Sequence, residues 1–405
     1  MTKAQNPGMR SLSAVVLTWS FAFLPANLIP TIIARLVNDY DMSVGFAGAL
    51  ATAMTLLNSA TVLLIRPWVR QHSRAPVAAL GVIILIAVAV LGILIPTATV
   101  FTFLLLLAGV GSGLVLGAAS ASISGMQDPD RSANIAMIFN RLIVALAFFT
   151  VPLIGGSMTA ILLVLVVPGL FVLLTVRWLP HTPPESIEEE NTKSIRRGKS
   201  APIGALAWLL ALSFGAWSVT DDGIVGIAEL IAISRFGDAG SGLFLNMYAV
   251  ATLAGLGGAV LAPFLTKLTS RPFAIALAII ISFVAKMSML LTTGEMLYSI
   301  AVVAWGFVFG LSLPLIFGLA AVLKRDGSAS VAVNGVYILG VALGPIIATQ
   351  LYGLGEEPLV AWIMGALGVV SATAIILISV QINRRPSLAE AETEAEDVDS
   401  VKVPS

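Results

Sequence analysis

A helix needs roughly 20 consecutive apolar residues to cross the hydrocarbon core of a bilayer, and this sequence holds about twelve such runs, at 12–34, 43–65, 74–95, 98–123, 132–154, 157–178, 203–232, 240–265, 272–292, 295–323, 328–352 and 358–383. With 58% hydrophobic and 11% charged residues in 405 and a mean hydropathy of +0.99, no single water-soluble core can hide that much apolar surface. The bilayer has to be the solvent for most of the chain. The first run is longer than a signal-peptide core and lacks a small-residue cleavage site, so it is expected to remain as the first span.

The polar segments organise the runs. Residues 179–202, "LPHTPPESIEEENTKSIRRGKSAP", read as a flexible linker between an N-terminal bundle, 1–178, and a C-terminal one, 203–385. Residues 386–405 form an acidic tail expected to be disordered. With an even number of spans and the N-terminus in the cytoplasm, 18 of the 22 lysines and arginines fall on the cytoplasmic side. Only Arg35 and Arg235 fall outside, and Arg141 and Lys286 lie within spans. This asymmetry predicts a multi-pass plasma-membrane protein with both termini in the cytoplasm.

Several chemistries are excluded. Net charge is zero, which gives no footprint for nucleic acid. Cysteine is absent, and both histidines, His72 and His181, sit in polar connections, so no metal site or thiol nucleophile is expected. No G-x-x-x-x-G-K-[ST] loop is present for nucleotide-driven work. An integral-membrane enzyme would need clustered acid, base or metal-binding groups, and a channel would conduct continuously; the sequence favours neither.

The halves repeat. "RPWVRQHSRAP" (66–76) after span two matches "APFLTKLTSRP" (262–272) after span eight at an offset of 196. "RSANIA" (131–136) matches "GSASVA" (327–332) at the same offset, and "GVGSGL" (109–114) matches "GFVFGL" (306–311) at 197. Several pairs in one order, at nearly one offset, predict an all-α integral membrane fold of twelve helices in two pseudo-symmetric six-helix bundles around a cavity.

On these residues the chain resembles the twelve-helix major facilitator superfamily, over roughly residues 10–385, with a flavour of bacterial proton-coupled efflux permeases. The superfamily's loop signature after span two, G-x-x-x-D-R-x-G-R-[RK], is partly kept: Arg66 and Arg70 stand at its first glycine and its aspartate, and Arg74 keeps a basic position. In the second copy Lys267 keeps a basic position, Thr266 replaces the aspartate, and Arg271 follows. The antiporter motif G-P-x-x-G-G of span five is matched by "VPLIGG" at Pro152, Gly155 and Gly156, with an echo in "GVALGP" at Gly344 and Pro345. Small residues and prolines there are expected to let helices approach and bend. The resemblance implies alternating access, with spans five and seven bordering the cavity.

Ionisable groups inside a bilayer are functional candidates by default. Arg141, after Asn140, is expected about 13 Å deep in span five at 1.5 Å per residue, placed to bind an anionic group or to pair with a carboxylate. Span seven carries Asp221, Asp222 and Glu229. The last two are seven apart and share a face, while Asp221 points about 100° away. The aspartates are expected in the outer half of the span, unless the helix ends near Thr220 and leaves them in an interfacial segment. Asn27 lies at the position equivalent to Asp221, between Pro25 and Pro30, and two broken segments at matching places would mark a binding site. Burial disfavours the charged form of a carboxylate, which lets such groups load and release protons. Lys286, about six residues from the end of span nine, is expected to snorkel. Asn58, Asn246, Asn334 and Gln350, with Trp217, Tyr248, Trp305 and Tyr337, fall where they either meet substrate or bridge helices.

The sequence therefore predicts a monomeric secondary transporter of a small organic solute, without cofactor, driven by the proton gradient and leaning towards export. The alternative is uptake of an organic anion anchored by Arg141.

Overall fold

The computed structural model describes residues 9–124, 126, 129–180, 204–323, 328–355 and 357–383. The acidic tail and nearly all of the linker lie outside the described residues, as do the side chains of Arg66 and Arg70. The first half contains α1 (Met9–Asn27), α2 (Ile29–Tyr40), α3 (Val44–Gln71), α4 (Arg74–Leu94), α5 (Ala98–Ser124), α6 (Pro129–Leu153) and α7 (Met158–Thr175). The second contains α8 (Ala205–Phe236), α9 (Asp238–Leu268), α10 (Arg271–Leu291), α11 (Glu295–Leu323), α12 (Ser328–Gly353) and α13 (Glu357–Asn383).

Eleven of these helices are long and apolar enough to cross a membrane. Together α1 and α2 make the first span. The chain breaks between them at Leu28, and Pro30 opens α2, where its missing N–H costs no hydrogen bond. The twelfth span is α8, the longest helix at 32 residues, whose carboxylates dilute its apolar character. No break follows Thr220, contrary to the second reading of that segment. Asp221 and Asp222 lie at the helix centre rather than in its outer half, because the helix runs on to Phe236.

The packing confirms the repeat. Within the halves, α3 and α4 pack on α5 as α9 and α10 pack on α11, and α4 meets α7 as α10 meets α13. Between the halves, α3 meets α12 and α6 meets α9, equivalent contacts under a pseudo-twofold, while α2 meets α8 on the axis.

The halves do not meet along their whole length. One buried apolar cluster runs continuously through both at the end opposite the chain termini, here called distal; it includes Ile33, Leu50, Phe148, Ile227 and Tyr248. At the proximal end there are two separate clusters, one in the first half around Ala14, Val77 and Val176 and one in the second around Phe214, Ile279 and Leu319. A core that is single at one end and divided at the other is a bundle closed distally and parted proximally.

Glycine allows a close approach between α8 and α12. A Cβ at Gly344 would stand 2.6 Å from the backbone nitrogen of Gly223, and one at Gly340 would strike the carbonyl of Gly215. The expectation for Gly344 and Pro345 as packing residues agrees with this seam, since Pro345 lies 3.5 Å from where a Gly226 Cβ would be. Gly155 and Gly156 behave differently. They have φ values of 103° and 63° and nothing within 4 Å of a Cβ, and Gly156 N–H donates to the Val151 carbonyl at 2.9 Å. They end α6 and reverse the chain into α7, so they are turn residues and not the close-approach pair that the sequence suggested. Pro152 lies in the last turn of α6, inside the helix.

Gly340→Leu is expected to cost about 1–3 kcal/mol or more by overpacking this seam. Gly318→Leu, at a position with nothing within 4 Å, is the control that should unfold like the wild type. Thermal unfolding in detergent checks both.

Candidate functional site

The three carboxylates of α8 have three different fates. Asp221 is 3% exposed and turns into its own half. Its Oδ1 lies 2.7 Å from Lys286 Nζ of α10 and 3.4 Å from the indole N–H of Trp305. Lys286 is fully buried, donates to Thr220 Oγ1 at 2.7 Å and sits 3.4 Å from the Trp217 ring centre. The snorkelling expected of Lys286 does not occur. Its ammonium turns inward because a carboxylate, a hydroxyl and an aromatic face together replace its water.

Glu229 is also fully buried. It accepts from Ser241 at 2.7 Å and pairs with Arg35 of α2 at 3.1 Å, across the interface between the halves. Arg35 also reaches Asp39 at 3.6 Å and Ser241 at 3.3 Å. The pair closes the distal end between α2 and α8. Gln350 adds a bond to the Gly45 carbonyl at 3.3 Å, joining α12 to α3.

Asp222 is only partly buried. Ser218 Oγ lies 3.4 Å from its Oδ2, and no cation pairs with it among the described residues. Arg141, mid-way along α6, is likewise partly buried and without a carboxylate partner among the described residues. Its guanidinium carbon lies 5.5 Å from the ring centre of Phe309, which belongs to the other half. Its charge acts on Asp222, Tyr248 and Tyr337. Aromatic rings run between these charges: Phe148 to Tyr248 at 4.6 Å, Tyr248 to Trp305 at 5.8 Å, and Trp305 to Phe309 at 5.4 Å. Asp222 and Arg141 thus both lie at mid-helix, one on each half, with the aromatic run crossing between the halves beside them.

The remaining candidates scatter. Asn140 is buried and its amide donates to the Ser20 carbonyl at 3.1 Å, tying α6 to α1. Asn27 closes α1 and donates to Phe23 within the helix, and Asn58 donates to Ser112 at 2.7 Å. Asn246 is partly buried and Asn334 exposed. Arg74 is buried and donates to the Pro180 carbonyl at 3.2 Å, anchoring the start of the linker. Lys267 is exposed and Arg271 partly buried, both at the proximal end.

Sequence reasoning missed Lys286 and Arg35 as structural centres. Lys286 had a signal, as one of only two cations inside spans. Arg35 had a better one: it precedes Glu229 by 194 residues, the same offset that relates Asn27 to Asp221.

Two helical halves closed at one end, with charged side chains at mid-depth between them, have the form of a membrane carrier. The chain belongs to the major facilitator superfamily, whose family model matches residues 12–332. No curated protein matches it in sequence. Solved structures share the fold. The nucleoside transporter NupG aligns with a TM-score of 0.68 at 14% identity, covering 91% of this chain and 99% of that one. A POT family transporter in complex with a thioalcohol-conjugated peptide aligns at 0.69 and 13%, covering 94% and 99%. A D-xylose–proton symporter aligns at 0.64 and 14%, covering 90% and 95%. The protein is a multi-pass secondary transporter and not an enzyme.

Lys286→Met leaves Asp221 buried and unpaired, so a loss of about 3–5 kcal/mol is expected. The double variant Lys286→Met/Asp221→Leu should recover most of it in a thermal double-mutant cycle. Glu229→Gln should loosen the distal end. In a Thr31→Cys background, labelling by an impermeant maleimide is expected to speed up several-fold, and an unchanged rate would show that the ion pair does not hold the closure.

Proposed function

We propose that the chain is a proton-coupled carrier of a small organic solute, with Asp222 as the coupling carboxylate. The observation that carries this is the division of labour on α8. Asp221 and Glu229 are each held by a cation, and Asp222 alone is left partly exposed at mid-depth between the halves. The groups acting on it are Asp221 and Ser218 on its own helix, Lys286 on α10 and Arg141 on α6, and it acts in turn on Tyr248 of α9 and Tyr337 of α12. A proton gained there changes the charge of the cavity wall at the point where the halves part. With the termini in the plasma membrane's cytoplasmic face, as the lysine and arginine asymmetry favours, the conformation described is open to the cytoplasm. Conversion would break the Arg35–Glu229 pair and the α3–α12 and α6–α9 contacts, then close the proximal end. Both halves and the site come from one chain, so the working unit is a monomer, with the proton gradient in place of a cofactor.

Export by antiport rests on the partial motif at Pro152, Gly155 and Gly156. Uptake of an anion on Arg141 is the second reading, favoured by a guanidinium that no carboxylate pairs with among the described residues. The solved relatives carry a nucleoside, a peptide and a sugar by their own descriptions, and that spread selects no solute.

The test is proteoliposomes loaded with a pH-sensitive dye and challenged with lipophilic cations and organic anions. Asp222→Asn should abolish solute-dependent proton movement. Glu295→Gln, at an exposed carboxylate in the first turn of α11, should keep it. A dye response that survives Asp222→Asn contradicts the assignment.

A further inference from the structure

We infer that the solute is a small zwitterion with a flat or aromatic body, held by its anionic group on Arg141 and its cationic group on Asp222. The inference rests on the carrier reading and names its substrate class. Charge neutralisation around the cavity leads to it. Asp221 and Lys286 cancel one another inside the second half at 2.7 Å. Arg35 and Glu229 cancel at the distal end at 3.1 Å. Of the described ionisable groups at mid-depth, this leaves one guanidinium on the first half and one carboxyl group on the second. Both are partly exposed, and one aromatic run connects their surroundings: Arg141 stands over Phe309 at 5.5 Å, and Trp305, one turn before Phe309, donates to Asp221, the neighbour of Asp222. Arg141 and Asp222 are not joined in an ion pair, so each keeps hydrogen-bonding capacity for a ligand.

A purely anionic solute would satisfy Arg141 but bring its charge towards Asp222. A purely cationic one would do the reverse at Arg141. A solute with both charges satisfies both and leaves the site neutral, which matters where solvent is scarce. The wall between the charges fixes the rest of the shape. Tyr248, Trp305 and Phe309 form a continuous aromatic run, and Phe309 lies directly beneath the Arg141 guanidinium. A planar body can lie along these rings while its two ends reach the charges. Trp305 is held in turn by Asp221 through its indole N–H, so the buried ion pair supports the wall.

The anchors also lie on different halves. A ligand bridging Arg141 of α6 and Asp222 of α8 draws the halves together at mid-depth, which a ligand with one charge does not do. Two charge-assisted anchors are each expected to contribute about tenfold or more in affinity.

The test uses the detergent-purified full chain and matched probes. One set is tryptophan, tryptamine and indole-3-propionate; the others replace tryptophan with phenylalanine and with the glycyl dipeptides of both, each with its amine and its acid. Melting temperature reads binding to the folded state. At least one zwitterion should raise the melting temperature of the wild type more than its own amine and acid do. Arg141→Gln should bring that zwitterion down to its amine, and Asp222→Asn should bring it down to its acid. An amine or acid that stabilises as well as its zwitterion overturns the inference, and so does a panel in which no zwitterion stabilises. The dye-loaded vesicles separate this failure from failure of the carrier reading. Proton movement driven by a singly charged solute would keep the coupling role of Asp222 and remove the zwitterion. Loss of coupling assigned to Asp222 would leave the melting comparison to stand or fall alone.

Discussion

The Lys286–Asp221 ion pair allows the rest of the site to exist. A helix that crosses a bilayer with three carboxylates faces a desolvation cost that a lone charge at its centre does not recover. In α8 the cost is met side chain by side chain. Asp221 turns into the second half, where Lys286, Thr220, Trp217 and Trp305 enclose the pair. Glu229 turns to the pseudo-twofold axis and takes Arg35. With both neighbours neutralised, α8 runs unbroken from Ala205 to Phe236, and Asp222 is carried to mid-depth on a rigid element.

Pseudo-symmetry explains why the halves close as they do. Equivalent helices exchange partners, α3 with α12 and α6 with α9, and α2 and α8 meet on the axis itself. Residues at equivalent positions of an on-axis pair face one another, and Arg35 and Glu229 are such positions. The repeat fixed the location, and divergence between the halves supplied opposite charges. The result is a closure in which the ion pair and small-residue contacts such as Gly45 with Gln350 and Gly48 with Thr349 join the apolar cluster that both halves share.

Much of the architecture was legible because bilayer spans are long and uninterrupted. Run length gave the twelve spans, and the 196-residue offset gave the two halves. The break in the first span was visible in Pro25 and Pro30, though it falls at Leu28. Asp221 and Asp222 suggested a matching break that α8 does not have, because sequence periodicity does not reveal that a lysine on another helix waits for one of them. Lys286 escapes sequence reading for the same reason: distance from a span end says how far a lysine can reach, not whether a carboxylate nearer by takes it. The motif match suggests packing for Gly155 and Gly156, whereas positive φ makes them a turn. Side-chain direction on a helix is periodic and legible. Its partner across a tertiary contact is not.

In the proposed mechanism the two halves exchange closure at the distal end for closure at the proximal end, with the charge of Asp222 biasing the exchange. The chain contains no cysteine, so spin labels can be placed without removing any residue that matters. One pair at Asn38→Cys and Leu354→Cys reports the distal end, and one at His72→Cys and Leu268→Cys reports the proximal end. Pulsed electron spin distance measurements in lipid nanodiscs should give two populations whose weights change in opposite directions at the two ends. They should shift with pH in the wild type and not in Asp222→Asn. A single distance at each end under all conditions, or shifts that persist unchanged in Asp222→Asn, would contradict it.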